Sequence, residues 1–548
     1  MTKPPTSLDE TYSSLLARRA LNNRLRTLTL PSPNTIDFSS NGYLSLSSHP
    51  AIKKQYLARL AQDSLPLLPA SSSSAAASPL PQSHQQTQAQ TFSLGSCGSR
   101  LLDGNSPLAE ALEHEIAAFH GAPAALLFNS GFEANTGLFG CAPQKGDVVV
   151  YDELIHASVH DGVKLSRGKG VAFAHNCVRR EGGFVEDGLP SLEEVLEGLE
   201  RHDCEDVGEE ERADEDESAS RDVNDVVAEG SARTKNRRSR RRRTRRNIFI
   251  AVEAVYSMDG DLAPLQDLVD CVEACLPHGN GYIVVDEAHS TGWMGEKGRG
   301  MVSSLGLEDR IWARVHTFGK AMGCAGAAVL CSPPTRAYLI NYARSLIYTT
   351  ALGFPLLTAI QTAYDFLSTG QATPLARNLL GLTSLAHQLL SALSTKYRPP
   401  ARLLRVPTEA PTSPIVPLFS DRARGLARYC QGRGFMVRAI VAPTVKKGTD
   451  RVRLCLHAGN TGYEVRGLCL AVESWLREEL GGVEGEAVRV PSGGVVNGEA
   501  GSISACRVRE SYEGQRGVHK VELKIPTVYH YREHQLQQPD GALQDLRT

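Results

Sequence analysis

Short apolar runs, almost free of polar interruptions, constrain this chain more than any other feature. They are Ala124-Ala-Leu-Leu-Phe128, Asp147-Val-Val-Val-Tyr151, Ile248-Phe-Ile-Ala-Val252, Tyr282-Ile-Val-Val285 and Ala327-Ala-Val-Leu330. A strand with one wet face alternates apolar and polar side chains, whereas a run without alternation suits a strand covered on both faces. These runs therefore predict an α/β fold, a mostly parallel central sheet with helices on either side. Amphipathic stretches lie between them. In Pro107 to Phe119, Ser106 suits the N-cap, Pro107 suits the first turn, and Leu108, Leu112 and Phe119 share a face. From about Pro374 to Leu480 the pattern alternates again, with strand-like Ile415-Val-Pro-Leu-Phe419 and Val452-Arg-Leu-Cys-Leu456. That stretch reads as a second, smaller α/β domain.

Two segments interrupt the pattern. Residues 64–91 are rich in Ser, Ala, Pro and Gln and have too few large apolar side chains to fold. Residues 203–246 begin acidic and end in a basic run, Arg237 to Arg246. Such a run can contact nucleic acid. Its opposite charges nearly cancel, and a solvated surface loop is the favoured reading, with nucleic acid not expected as a partner. The expected organisation is an N-terminal helix (Leu15 to Leu28) and the start of a small domain over 1–63, an insert at 64–91, and a large domain at 92–345. The charged insert falls inside that large domain. A small domain at 346–483 and a peripheral tail at 484–548 complete it. A net charge of −2 leaves no global field toward nucleic acid or anionic lipid. The longest apolar runs are far too short to span a bilayer. The N-terminus lacks the apolar stretch of a signal peptide, and Asp545-Leu-Arg-Thr548 is not a Ser-Lys-Leu address. The 12 cysteines show no metal-ligand spacing and are read as reduced. A cytoplasmic protein is expected.

In open α/β sheets, ligands sit beyond the C-terminal ends of the strands. Gly281-Tyr-Ile-Val-Val-Asp286-Glu-Ala-His289 ends a strand-like run in an aspartate, and His316-Thr-Phe-Gly-Lys320 places a lysine a few tens of residues later. Asn129-Ser-Gly-Phe132 follows a strand and would open a helix. Its backbone N–H groups make a ready anion site, and Gly131 permits close approach. The Asp-Glu-Ala-His segment also reads as a metal or helicase-like box. No Gly-rich phosphate loop ending in Gly-Lys-Ser/Thr precedes it, so a nucleotide role is weak.

Taken in order, several segments resemble the α-oxoamine synthases, fold-type I pyridoxal phosphate (PLP) enzymes that join an amino acid to an acyl thioester with loss of CO2. The branch most resembled makes 8-amino-7-oxononanoate for biotin. The segments are Phe38-Ser-Ser-Asn-Gly-Tyr-Leu-Ser-Leu-Ser47, Gly95-Ser-Cys-Gly-Ser-Arg100, Leu127 to Asn135, Ile155-His-Ala-Ser158, Val255-Tyr-Ser-Met-Asp-Gly-Asp261, Asp286 to Gly292 and Thr317-Phe-Gly-Lys320. The resemblance covers about Leu15 to Leu480 outside the inserts.

It implies that Lys320 carries the cofactor as a Schiff base, that Asp286 keeps the pyridine nitrogen protonated, and that His156 stacks on the ring. It further implies that Gly131 and Phe132 bind the phosphate, that Ser257 and Thr317 help hold the cofactor, and that His289 meets the 3-oxygen. Arg453 would grip the amino acid's carboxylate and Thr444 would touch substrate. Arg26, or its neighbour Arg24, would meet the acyl substrate. Thr349 and Thr350 would reach a partner subunit's phosphate, making the enzyme a homodimer with shared sites. The substrates implied are L-alanine and a pimeloyl thioester. Departures include Asn41-Gly-Tyr-Leu-Ser-Leu46, Ala321 after the lysine, and Ile440-Val-Ala-Pro-Thr444, where the biotin branch usually carries an arginine. These keep open another acyl group, or glycine or serine as the amino acid. A non-catalytic partner subunit is disfavoured by the presence of Lys320, Asp286 and His289.

Overall fold

A computed structural model describes residues 7–22, 24–28, 30, 32–61, 94–180, 188–201 and 245–481. The insert at 64–91, nearly all of the charged insert and the whole tail from 484 lie outside the described residues. Seven strands form the large sheet. They are β1 (Ala124–Phe128), β2 (Val148–Asp152), β3 (Lys169–Phe173), β4 (Ile248–Glu253), β5 (Gly281–Asp286), β6 (Ala313–Thr317) and β7 (Ala327–Cys331). Their order is β1-β7-β6-β5-β4-β2-β3. All neighbours are parallel except β7, which runs antiparallel to both β1 and β6. The mostly parallel sheet expected from the apolar runs is therefore present.

The absence of alternation in those runs has a direct cause. Val148, Val150, Ile248, Ile250, Ile283 and Val285 face one layer, with the buried side of α5 (Leu265–Cys275). Val149, Phe249, Ala251, Val284 and Val315 face the other, against α3 (Gly131–Cys141) and α4 (Ala157–Leu165). Each such buried side chain contributes roughly 1.5–3 kcal/mol of transfer free energy, so both faces must be apolar.

A smaller antiparallel sheet joins β8 (Ile415–Phe419), β9 (Arg438–Ile440) and β10 (Arg451–Cys455) in the order β9-β10-β8. It packs into one core with α2 (Pro107–Phe119), α6 (Phe354–Ser368), α7 (Thr373–Tyr397), α8 (Ala423–Gln431) and α9 (Gly462–Gly481). The chain's start is tied in by a two-residue pairing of Ile36–Asp37 with Phe435–Met436. That pairing brings the Phe38–Ser47 segment beside β10, where the N–H of Cys455 donates to the carbonyl of Phe38.

The N-terminal helix differs from expectation. It is α1 (Leu8–Leu21), opened by a reciprocal cap between Ser7 and Glu10 and closed at Asn22. Arg26 consequently lies beyond the helix, not on it. No described helix is long and apolar enough to cross a membrane.

Candidate active site

The parallel strands β2, β4, β5 and β6 end in Asp152, Glu253, Asp286 and Thr317. Asp286 is buried, and both its oxygens accept hydrogen bonds: Oδ2 from Asn135 Nδ2 at 2.7 Å and Oδ1 from the Ala288 N–H at 2.9 Å. Glu253 is its in-register neighbour on β4. Burial, then the charge of Asp286, pushes the Glu253 carboxyl well above the ordinary carboxylate range. Both causes act against ionisation of Glu253, which lies beside Asp286 at the strand ends.

Lys320 follows β6 by three residues and is half-buried. Burial lowers its amine below the ordinary lysine range, against the opposing pull of Asp286 and Glu253. His289 is buried, and burial followed by the charges of Lys320, Arg453 and His156 pushes it well below the usual histidine value. Its Nδ1 meets the Tyr43 hydroxyl at 2.8 Å, and its carbonyl accepts from Trp293 Nε1 at 2.6 Å. His156 caps α4 and is likewise lowered by burial, with Asp286 opposing. One electrostatic neighbourhood thus holds Lys320, Asp286, His156, His289 and Arg453.

Gly131 opens α3. A Cβ built there would meet Thr317 Oγ1 at 3.1 Å and Thr317 Cβ at 3.2 Å, so the turn presses against β6 with no room for a side chain. Ser130 caps the helix through the Glu133 N–H. The N–H groups of Gly131 and Phe132 have no acceptor among the described residues. This helix terminus is receptive to an anion. Asn129 Nδ2 reaches Thr349 Oγ1 at 3.2 Å and the Thr350 carbonyl at 2.9 Å, which places both threonines beside the same turn of their own chain.

Arg453, on β10, is buried with a guanidinium that forms no ion pair among the described residues. Nη1 donates to the Ser257 carbonyl at 2.9 Å and Nη2 to Asn41 Oδ1 at 3.0 Å, while Nε lacks a partner. Arg451, two residues away, is by contrast paired with Asp259. A buried cation left without an anion is costly, which sets Arg453 apart from Arg451 as a cation able to take an anionic ligand.

Arg26 and Thr444 are exposed and sit elsewhere, on a groove of about 1050 Å³ along β9 and α8, with Arg24, Arg424 and Arg428. Arg438 on its floor pairs in register with Arg453, so the groove begins one strand from the buried guanidinium.

Asn41, Tyr43, Asn135 and Ser158 take part in this geometry yet carried no assignment from sequence. Each lies inside a segment that carried the resemblance, but a neutral amide or hydroxyl has no spacing signature of its own.

The donors fit PLP. A helix N-terminus without a Cβ suits the phosphate, a buried carboxylate held by two hydrogen bonds suits a pyridinium, and a half-exposed amine of lowered basicity suits an aldehyde. Comparison with known proteins agrees. The profile of the family "Aminotransferase class I and II" matches residues 34–472. The 8-amino-7-oxononanoate synthase of Emericella nidulans is 43% identical over 86% of this chain and 97% of its own. The aminoacyl transferase sphA of Aspergillus fumigatus is 32% identical over 83% and 84%. A serine palmitoyltransferase from S. paucimobilis, solved with a PLP–myriocin aldimine, shares the fold at a TM-score of 0.62 and 21% identity, over 87% and 100%. The chain therefore belongs to the class I and II aminotransferase family, as a PLP-dependent acyltransferase of its α-oxoamine synthase group.

Proposed function

We propose that this enzyme condenses L-alanine with a pimeloyl thioester to give 8-amino-7-oxononanoate, CO2 and the free thiol, a step of biotin biosynthesis. The observation that carries this reading is the 43% identity to the Emericella nidulans synthase, sustained over 97% of that protein. PLP supplies an electron sink that lets the bonds at the amino acid's Cα break heterolytically. In this proposal Lys320 binds the cofactor, Asp286 faces its ring nitrogen, and Gly131, Phe132 and Thr317 hold its phosphate. His156 stacks on the ring, Ser257 lies beside it, and His289 is aimed at the 3-oxygen by Tyr43. Arg453 and Asn41 orient the substrate carboxylate. Lys320, its amine made less basic by burial, takes the Cα proton and returns one after CO2 leaves.

The groove supports an anionic second substrate. Arg19, Arg24, Arg26, Arg424 and Arg428 line it without an ion pair among the described residues, and like charges gathered this way are relieved by a bound anion. Thr444 stands at its edge. A homodimer, in which Thr349 and Thr350 approach the partner's cofactor, is part of the same reading. It is supported by α1, which buries none of its residues yet exposes Leu8, Tyr12, Leu15 and Leu16 on one face.

A second reading has its own support. The 32% identity to aminoacyl transferase sphA, and the lack of an arginine in Ile440-Val-Ala-Pro-Thr444, favour a different acyl group. Purified protein with PLP, each of L-alanine, glycine and L-serine, and pimeloyl or long-chain acyl thioesters separates them by thiol release. Turnover restricted to alanine with pimeloyl thioester is expected. Turnover restricted to serine or glycine with a long-chain thioester overturns the first reading.

A further inference from the structure

Asp286 and His156 are joined by two side chains that neither charge nor spacing marks. Asn135, on α3, is 1% exposed, and Ser158, on α4, is 0% exposed. The two hydrogens of Asn135 Nδ2 are both used: one on Asp286 Oδ2 at 2.7 Å, the other on Ser158 Oγ at 3.0 Å. The amide orientation follows from its partner, since an amide oxygen turned toward a carboxylate would be repelled. Ser158 Oγ already accepts there, so its single hydrogen is directed to His156 Nδ1, 2.8 Å away. The backbone N–H of Ser158 points at the same nitrogen, at 3.3 Å. A ring nitrogen that meets two donors carries no proton, and the neutral imidazole then bears its hydrogen on Nε2. Holding this geometry leaves Asn135 Oδ1 buried without a partner among the described residues. A residue chosen for stability alone would not keep an orphaned buried acceptor.

We propose that Asn135 and Ser158 are positioning residues that bind the charge state of Asp286 to the tautomer of His156, presenting Nε2–H as the free edge of that ring. This rests on the placement of Asp286 and His156 at the cofactor given above. Removing a neutral donor from Nδ1 makes a second proton on the imidazole easier to gain. The charged and titratable groups around His156 are Asp286 on β5, His289 just beyond β5, Lys320 beyond β6 and His160 on α4. The Glu253 carboxyl on β4 meets the His156 backbone amide. Of these, Asp286 favours the added proton, while Lys320 and His160 oppose it.

The test compares the PLP-loaded enzyme with Ser158→Ala, Asn135→Ala and the double variant. Histidine ring 15N shifts, with His156 assigned by its loss in His156→Gln, report the tautomer directly, in the apoprotein as well as the holoenzyme. The wild type is expected to show one protonated and one bare ring nitrogen at His156. Ser158→Ala should show an averaged pair, and the acid limb of its kcat/KM profile should move to higher pH, with the pH midpoint of the PLP absorbance band shifted. The double variant should be no worse than the poorer single one, because the three residues act as one chain of bonds. Two results overturn the proposal. One is a wild-type tautomer protonated at Nδ1. The other is variants that lose activity while both pH midpoints and the 15N pattern stay as in the wild type, the mark of a merely structural role. The 15N pattern of the apoprotein needs no cofactor, so failure of the functional reading, seen as a wild type that binds no PLP, is told apart from failure here.

Discussion

Arg453 and Glu253 show how burial converts an ordinary side chain into a site. Arg453 spends its donors on neutral carbonyl and amide oxygens and holds Nε unpaired, so its charge awaits a ligand. Arg453→Ala is expected to raise the KM for the amino acid by roughly 10- to 100-fold, the loss of a charge-assisted hydrogen-bonded pair. Steady-state kinetics at saturating thioester measures it, and an unchanged KM contradicts the carboxylate role. Glu253 binds its proton more tightly folded than unfolded, because burial and Asp286 raise its carboxyl. Its contribution to stability is therefore complete below the ordinary carboxylate range and is lost as pH climbs toward the raised folded value. Glu253→Gln keeps the shape and removes the titration. The variant should lose less stability than the wild type on going from pH 6 to pH 9, by up to about 1.4 kcal/mol per pH unit. Denaturant unfolding at several pH values reads this, and parallel curves refute it. From sequence, Lys320, Asp286 and His289 stood out because they are charged or titratable and lie beside strand ends. Asn135 and Ser158 did not, since their roles consist of hydrogen bonds that only folding creates.

At the scale of elements, the loops beyond the strands are stitched together by ions. His175, just after β3, lies between Asp152 at the end of β2, with Nδ1 to Oδ1 at 2.9 Å, and Asp261 in the loop after β4, with Nε2 to Oδ2 at 2.7 Å. The two carboxylates hold the imidazole protonated up to about 10 despite burial. This clamp fixes the loop that presents Ser257. A histidine of raised pKa stabilises fully below its unfolded value, near 6.5, and loses that contribution as pH rises through about 10. His175→Gln should cost about 3 kcal/mol at pH 6, a gap that narrows toward pH 10. A deficit that does not change with pH would contradict the clamp. Strands that run apolar throughout were readable from sequence to within a residue, as Ala124–Phe128 and Ile415–Phe419 show. Strand β6, Ala-Arg-Val-His-Thr, was not. Its Arg314 and His316 are buried by satisfying Arg314 Nη1 on the His120 carbonyl and packing the His316 ring, tilted by 37°, against His120, partners distant in sequence. Helix α1 was placed several residues late because Ser7 and Glu10 set its start, while the apolar spacing alone ran on to Leu28.

At the scale of the whole molecule, Leu8, Tyr12, Leu15 and Leu16 recur at helical spacing on α1 and stay exposed at 64, 53, 45 and 53%. A stripe of this kind is stable in water when another surface covers it. For the proposed homodimer, Tyr12→Glu with Leu16→Glu is expected to move the solution mass by light scattering from two chains toward one. A wild type that is already monomeric at micromolar concentration refutes the dimer. The net charge of −2 says nothing about the groove, where arginines from α1, from the segment after it, from α8 and from β9 converge.

The order of apolar runs sufficed for the α/β class, and the motif segments that carry the family resemblance sufficed for the PLP chemistry. Those properties follow from local pattern, since a strand buried on both faces must be apolar throughout and few side chains form imines. Which arginine is buried without an ion pair among the described residues, and which carboxyl is raised by its neighbours, are decided by tertiary packing. Each depends on partners tens to hundreds of residues away, and on a low-dielectric interior that exists only once the chain has closed around it.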